Sequence, residues 1–129
     1  MRKISRLITI AGCVLVMLAS IFVSADEYPV PTNTNVDFYG YGTFLQVGDV
    51  VTAFDSDGVL CGRCVVNHDG QYGFLHVYGD DKTSPDIDEG AVQGDWITIY
   101  VNGIQVSTLG PQEPVWTKDG DQIRVDVVN

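Results

Sequence analysis

The residues best suited to chemistry are five carboxylates within residues 77–90, VYGDDKTSPDIDEG. They are Asp80, Asp81, Asp86, Asp88 and Glu89, and Lys82 is the one cation among them. Calcium takes about six to eight oxygen ligands and favours flexible loops. The cluster falls in a connection of 17 residues (79–95) between two predicted strands, and loops of that length are often functional. The sequence therefore leaves two interpretations: a solvated acidic loop, and a calcium site formed by these five carboxylates.

A second candidate is the pair Cys61 and Cys64, a CxxC motif inside the predicted strand VLCGRCVVN. In an exported chain such a pair favours an intrachain disulfide. Residues three apart on a flat strand face opposite sides, however, so the bridge needs a bulge at Gly62. The alternatives are one core thiol with one exposed thiol, or pairing between molecules. A zinc site lacks two further ligands, and a redox pair usually opens a helix.

Aromatic side chains form a third constellation, because a flat row of rings can stack on sugars. Its members are Tyr39, Tyr41, Tyr72, Tyr78, Trp96, Tyr100 and Trp116. We take Trp96, Tyr100 and Trp116 as the candidate carbohydrate-binding residues. The alternative is that these rings fill the core and rim of a β-sheet protein.

Catalysis has little support in the sequence. A nucleophile needs a base within reach and a third group that orients the base. The two histidines are His68, in a turn, and His76, inside a predicted strand. The glycines separate strands and do not open a helix, so no phosphate-binding loop is indicated. We expect a protein that is not an enzyme.

The first 25 residues have the pattern of a signal peptide. Met1–Arg6 carries three basic residues, Leu7–Val23 is uncharged, and Val23-Ser24-Ala25 supplies small residues for cleavage before Asp26. We therefore expect a secreted or cell-surface protein. A retained N-terminal anchor is the main alternative, since the apolar run of 17 residues is at the short limit of a membrane span. The residues before Cys13 also resemble a lipoprotein box.

Cleavage before Asp26 would leave 104 residues with a formal net charge of −13, because all 17 acidic residues and four of the seven basic residues remain. That length suits one core and not two domains. Because such an acidic surface repels phosphate backbones, we expect no nucleic-acid partner.

Beyond a predicted flexible tether at residues 26–35, β-rich runs alternate with turn residues. The runs are Val36–Val47, Val50–Asp55, Val59–Asn67, Tyr72–Tyr78, Trp96–Val101, Ile104–Thr108 and Gln122–Val128. Strands at this spacing are typical of a sandwich or barrel. We predict an all-β fold for residues 36–129, a seven-stranded antiparallel immunoglobulin-like sandwich.

Alternation and turn chemistry add detail to two of these runs. Alternation places Ile97, Ile99 and Val101, and likewise Ile123, Val125 and Val127, on core-facing sides. Asn102-Gly103 permits the positive φ angles that a two-residue type I′ hairpin requires.

Three segments, GDVVTAFDSDGVLCG, GQYGFLHVYGDD and DEGAVQGDWITIYVNG, resemble a module of large secreted bacterial and archaeal proteins. These modules are immunoglobulin-like or carboxypeptidase-regulatory-like sandwiches, commonly joined to other extracellular domains. The resemblance spans Val36–Val128. It implies a non-catalytic structural or adhesive module.

The expected function is therefore a secreted structural or adhesive module, with calcium as a candidate stabilising ion. The expected partners are other extracellular or cell-surface proteins, or polysaccharide. A carbohydrate-binding module is the alternative function. Self-assembly is a further possibility, in which residues 26–35 pair with a neighbouring subunit's sheet edge.

Overall fold

The computed structural model describes residues 27–80 and 90–129. Within them the chain forms eight strands: β1 (Asn35–Tyr41), β2 (Val50–Phe54), β3 (Leu60–Val65), β4 (Gln71–Tyr78), β5 (Thr98–Val101), β6 (Ile104–Gln105), β7 (Ser107–Pro111) and β8 (Gln122–Val128). These two ranges contain no helix. It follows that no helix among the described residues is long and apolar enough to cross a membrane. The prediction of an all-β fold is confirmed for the residues that the structure describes.

The strands hydrogen-bond in the order β6–β5–β2–β3–β4–β1–β8–β7. β6 and β7 stand at opposite ends of this order, yet they follow one another along the chain. The chain crosses between them at Val106, whose N–H donates to the carbonyl of Ile99 (3.0 Å). The sheet therefore curls until its two ends are joined by one continuous stretch of chain, and the fold is nearly barrel-shaped.

This arrangement corrects the predicted seven-stranded antiparallel sandwich. The run Ile104–Thr108 contributes to two strands, so the described residues form eight strands in one sheet. β1 runs parallel to β8, with Phe38 opposite Ile123, while the other neighbours are antiparallel. Alternation within a short run specifies a strand and its faces, but it carries no information about the partner strand.

The core lies inside the curled sheet, and the faces assigned from alternation are confirmed. Ile97, Ile99 and Val101 are buried, and so are the three inward residues of β8. They pack in one cluster with Val36, Phe38, Leu45, Val51, Ala53, Val66, Leu75 and Val77. Full burial of each large aliphatic side chain stabilises the fold by about 1.5–3 kcal/mol.

The first predicted run, Val36–Val47, is too long. β1 ends at Tyr41, and the chain then turns. Leu45 is buried inside that turn, where its N–H donates to the carbonyl of Gly42 (3.0 Å) and its carbonyl accepts from Gly70 (2.9 Å). In the sequence, a buried leucine in a turn cannot be distinguished from a further inward residue of the strand.

The predicted hairpin between β5 and β6 is confirmed. Asn102 and Gly103 have φ angles of 51° and 81°, and Val101 pairs with Ile104 across the turn.

Residues 27–34 contact the sheet at several points. The Thr32 hydroxyl donates to the carbonyl of Gly79 (2.7 Å), and Gly79 N–H donates to the carbonyl of Thr34 (2.9 Å). The Arg63 guanidinium lies over the Tyr28 ring, 4.1 Å from its centroid. The predicted signal peptide, residues 1–25, lies outside the described residues.

Candidate functional site

Outward side chains of β1, β4 and β8 create an exposed aromatic surface. β1 turns Val36 and Phe38 inward, so Tyr39 and Tyr41 face outward. We call the surface made by Tyr39, Tyr41, Phe74 and Arg124 the aromatic face.

Two ring contacts organise the aromatic face. The Tyr39 and Phe74 rings meet edge to face, with centroids 5.6 Å apart and planes at 79°, a favoured geometry for aromatic pairs. Phe74 is nevertheless 50% exposed. Further along β1, Tyr41 is 49% exposed, and the Arg124 guanidinium carbon lies 4.8 Å from its ring centroid.

A shallow hollow of about 310 Å³ lies beside the Tyr39–Phe74 pair. Its lining consists of Tyr39, Asn67, Gln71, Tyr72, Gly73 and Phe74. The two amides each offer a donor and an acceptor next to the rings. The hollow therefore combines an apolar ring with groups that hydrogen-bond to hydroxyls.

The guanidinium of Arg124 is paired within the protein. Arg124 donates to both carboxylate oxygens of Asp126 (3.2 and 3.0 Å), and these bonds hold the pKa of the Asp126 carboxyl below its usual value. The His76 Nδ1 hydrogen-bonds to the carboxylate of Asp37. The face thus presents rings and amides beside an Arg124 charge that Asp126 compensates.

Sequence reasoning named Tyr39 and Tyr41 among the aromatic residues but missed Phe74. Strict alternation places Tyr72 and Phe74 on the same side of β4. Phe38 pairs with Leu75, and Gly40 pairs with Tyr72. Two residues of β4, Gly73 and Phe74, therefore lie opposite the single residue Tyr39. This bulge turns Tyr72 inward, where its hydroxyl donates to the carbonyl of Val125 (2.6 Å), and leaves Phe74 outside. The glycine at position 73 was the one signal of such an irregularity.

The predicted carbohydrate-binding residues do not share one exposed row. Trp96 is 56% exposed and lines a groove between β5 and β7. Tyr100 packs edge to face on Phe54, with centroids 5.1 Å apart. Trp116 is only 7% exposed, and its indole N–H donates to the buried carbonyl of Val77 (2.8 Å).

Of the predicted calcium ligands, Asp80 lies in the described part of the chain. Its N–H donates to the carbonyl of Ala91 (2.8 Å). The other four, Asp81, Asp86, Asp88 and Glu89, lie outside the described residues. Elsewhere in residues 27–80 and 90–129, no group of three or more His, Cys, Asp or Glu side chains is placed to hold a metal ion.

A second concave site lies at the end of the fold where β1 begins. This end cavity has a volume of about 700 Å³. It is lined by Asn33, Thr34, Asp80, Ala91, Val92, Gln93, Trp116, Thr117, Lys118 and Asp119. Asp80 and Trp116, predicted for two different sites, are thus brought together here.

Neither Cys61 nor Cys64 forms a disulfide in the structure, where the sequence favoured a bridge between them. A bulge does occur, with Leu60 and Gly62 opposite consecutive residues of β2. It turns the Cys61 thiol towards β2, where it donates to the carbonyl of Ala53 (3.5 Å). Cys64 instead lies near β4, where the Gly73 N–H acts to lower the pKa of its thiol. The two sulfur atoms therefore lie towards different neighbours of β3: Cys61 towards β2 and Cys64 towards β4.

The two histidines lie on exposed positions. His68 Nδ1 lies 3.1 Å from the side-chain oxygen of Asn67, and His76 contacts Asp37 as described above. Within residues 27–80 and 90–129, no serine or cysteine occurs among the hydrogen-bond partners of either ring.

No protein-family model, no curated protein and no solved structure matches this chain.

Proposed function

We propose that the chain is a non-catalytic, adhesive extracellular module that binds neutral polysaccharide on the aromatic face. The observation that carries this proposal is the Tyr39–Phe74 pair, which holds an exposed phenylalanine beside the amides of Asn67 and Gln71. A pyranose ring has an apolar C–H face and a rim of hydroxyls. An exposed ring beside amide groups complements both features.

The charge distribution supports a neutral ligand. The chain carries a formal net charge of −10, which repels acidic polysaccharides. Arg124 does not offset this repulsion, because Asp126 already accepts its hydrogen bonds.

The placement of the rings supports an oligomeric ligand. Tyr39 and Tyr41 are separated by two residue steps along β1, about 6–7 Å for an extended strand. A single sugar ring covers one of these positions. A chain running along β1 contacts both, so its affinity increases with the number of sugar units until both rings are covered.

The test is affinity electrophoresis through gels containing a panel of neutral polysaccharides, followed by calorimetry with oligosaccharides of increasing length. Replacing Phe74 with alanine removes the exposed ring and is expected to lower affinity by about 5- to 150-fold, if a sugar stacks on the ring as strongly as a nucleic-acid base does, about 1–3 kcal/mol. Because Phe74 is half buried and packs on Tyr39, we expect this substitution to lower the free energy of unfolding by about 1–2 kcal/mol, so binding is compared well below the unfolding midpoint of both proteins.

The matched control is Trp96→Ala, which removes an exposed aromatic residue away from the aromatic face. We expect it to retain full affinity. Loss of binding with Trp96→Ala and not with Phe74→Ala would move the site to the groove beside β5. Absence of binding to every polysaccharide in the panel would contradict the proposal and favour a purely structural module.

A further inference from the structure

Two polar side chains continue the line of the aromatic face along β1. Asp37 and His76 lie directly opposite each other on β1 and β4. Asp37 faces outward, because its neighbours Val36 and Phe38 are buried in the core. It precedes Tyr39 by two residues, a distance of about 6–7 Å along an extended strand. We call Asp37 and His76 the polar pair.

Hydrogen bonds fix the orientation of the polar pair. The Oδ1 atom of Asp37 accepts from the side-chain amide of Asn35 (2.7 Å) and from Nδ1 of His76. Because an ionised carboxylate can only accept hydrogen bonds, the imidazole proton must lie on Nδ1. In the neutral imidazole the other ring nitrogen, Nε2, is then an acceptor.

The polar pair is open to a ligand. The His76 side chain is 55% exposed, and the Asp37 side chain is 19% exposed. Within residues 27–80 and 90–129, no hydrogen bond occupies Asp37 Oδ2 or His76 Nε2. The pair therefore presents two hydrogen-bond acceptors beside the rings, and its Nδ1 proton is already used.

We propose that the polar pair is a specificity-determining subsite, which selects polysaccharides whose hydroxyl groups are free. This inference rests on the proposed polysaccharide binding. A bound chain that follows β1 stacks on Tyr41 and Tyr39 and places its next sugar unit on the polar pair. A free hydroxyl donates to these acceptors, whereas a methylated or acetylated one has no hydrogen to donate. The bond to the Asp37 carboxylate is the stronger of the two, because its acceptor is ionised.

The probes are β-1,4-linked gluco-, manno- and xylo-oligosaccharides of increasing length, each in its free form and after full O-methylation. Methylation removes every hydroxyl donor and leaves the C–H face that stacks on the rings. Calorimetry measures the affinity of each form. In the series that binds best, we expect the free form to bind about 10- to 150-fold more tightly, as for a hydrogen bond to a charged group of about 1.5–3 kcal/mol.

Two variants assign this preference to the polar pair. Asp37→Asn removes the charge but keeps an oxygen for the Asn35 amide, and we expect it to weaken binding of the free form severalfold without changing that of the methylated form. His76→Ala is expected to abolish the gain in affinity that comes when the free chain is long enough to reach the pair. Asp57→Asn, which removes the same charge from an exposed turn between β2 and β3, is the control and should change neither affinity. The urea midpoint of each variant is measured alongside, and His76→Ala carries the test if Asp37→Asn is unstable.

Two results would overturn this inference and leave the proposed function standing, provided that Phe74→Ala still lowers affinity. They are equal affinity of the parent protein for the free and methylated forms, and an undiminished preference for the free form in both variants of the polar pair. Absence of binding to every oligosaccharide and every polysaccharide in the panel would refute the proposed function, and this inference with it.

Discussion

At the scale of single residues, burial decides what the cysteines can do. Burial raises the pKa of the Cys64 thiol to about 11, although the Gly73 N–H and the nearby Arg63 charge act in the opposite direction. The thiolate is the nucleophilic form of cysteine, so this side chain is poorly reactive at neutral pH. Cys61 is fully buried.

Alkylation by iodoacetamide should follow this difference. In the folded protein at pH 7.5, we expect no labelling of Cys61 and slow labelling of Cys64. The Cys64 rate should rise about tenfold per pH unit until the pH approaches its pKa, because the thiolate fraction rises in that proportion. Mass spectrometry with and without denaturant measures both sites.

Two results would contradict this picture. Rapid labelling of Cys64 at neutral pH would mean that the thiol is not desolvated. An intact mass that increases on reduction would show that the protein contains a disulfide, as the sequence favoured. Cys64→Ala is the control that assigns the labelled site.

At the scale of elements, the turn between β5 and β6 is fixed by both its backbone and its side chain. Asn102 accepts from the Val50 N–H (2.9 Å) and donates to the carboxylate of Asp49 (3.0 Å). The asparagine therefore connects this hairpin to the start of β2.

Two substitutions at Asn102 separate these roles. Asn102→Gly keeps the positive φ and loses both side-chain hydrogen bonds, which we expect to lower the free energy of unfolding by about 1–2 kcal/mol. Asn102→Asp keeps an acceptor but places a second carboxylate beside Asp49. We expect it to be the less stable variant at low salt, with the difference shrinking as salt screens the repulsion. Urea unfolding at two ionic strengths checks this order. An aspartate variant as stable as the parent would contradict it.

The elements also show why sequence predicted some features and missed others. β8 and the Asn102-Gly103 turn were predicted because alternation and turn chemistry are local. Phe74 was missed because its direction depends on a bulge, and a bulge depends on the partner strand. Trp116 was predicted to be exposed, but it is buried. The sequence does not distinguish an exposed tryptophan from one whose indole N–H donates to a buried carbonyl. The end cavity assembles stretches that are far apart in the chain, so no local pattern indicates it.

At the scale of the whole molecule, the acidic connection between β4 and β5 is expected to determine the response to calcium. Melting of the protein in calcium and in EDTA, at fixed ionic strength, tests this expectation. A folded-state ion at 100 times its dissociation constant adds about 2.7 kcal/mol. We expect a calcium-specific rise that is lost when Asp86 and Asp88 are replaced by asparagine. Equal shifts with magnesium and sodium would show that the charges are only screened.

The parallel pairing of β1 with β8 has a mechanical consequence. Because the two strands point the same way, the chain enters at one end of the fold and leaves at the other. Tension applied to the two ends pulls β1 and β8 in opposite directions along their length. The hydrogen bonds between them are then loaded in shear and must break together, whereas a pair loaded like a zipper opens one bond at a time. A domain held at both ends under tension would therefore resist mechanical unfolding through the hydrogen bonds between β1 and β8.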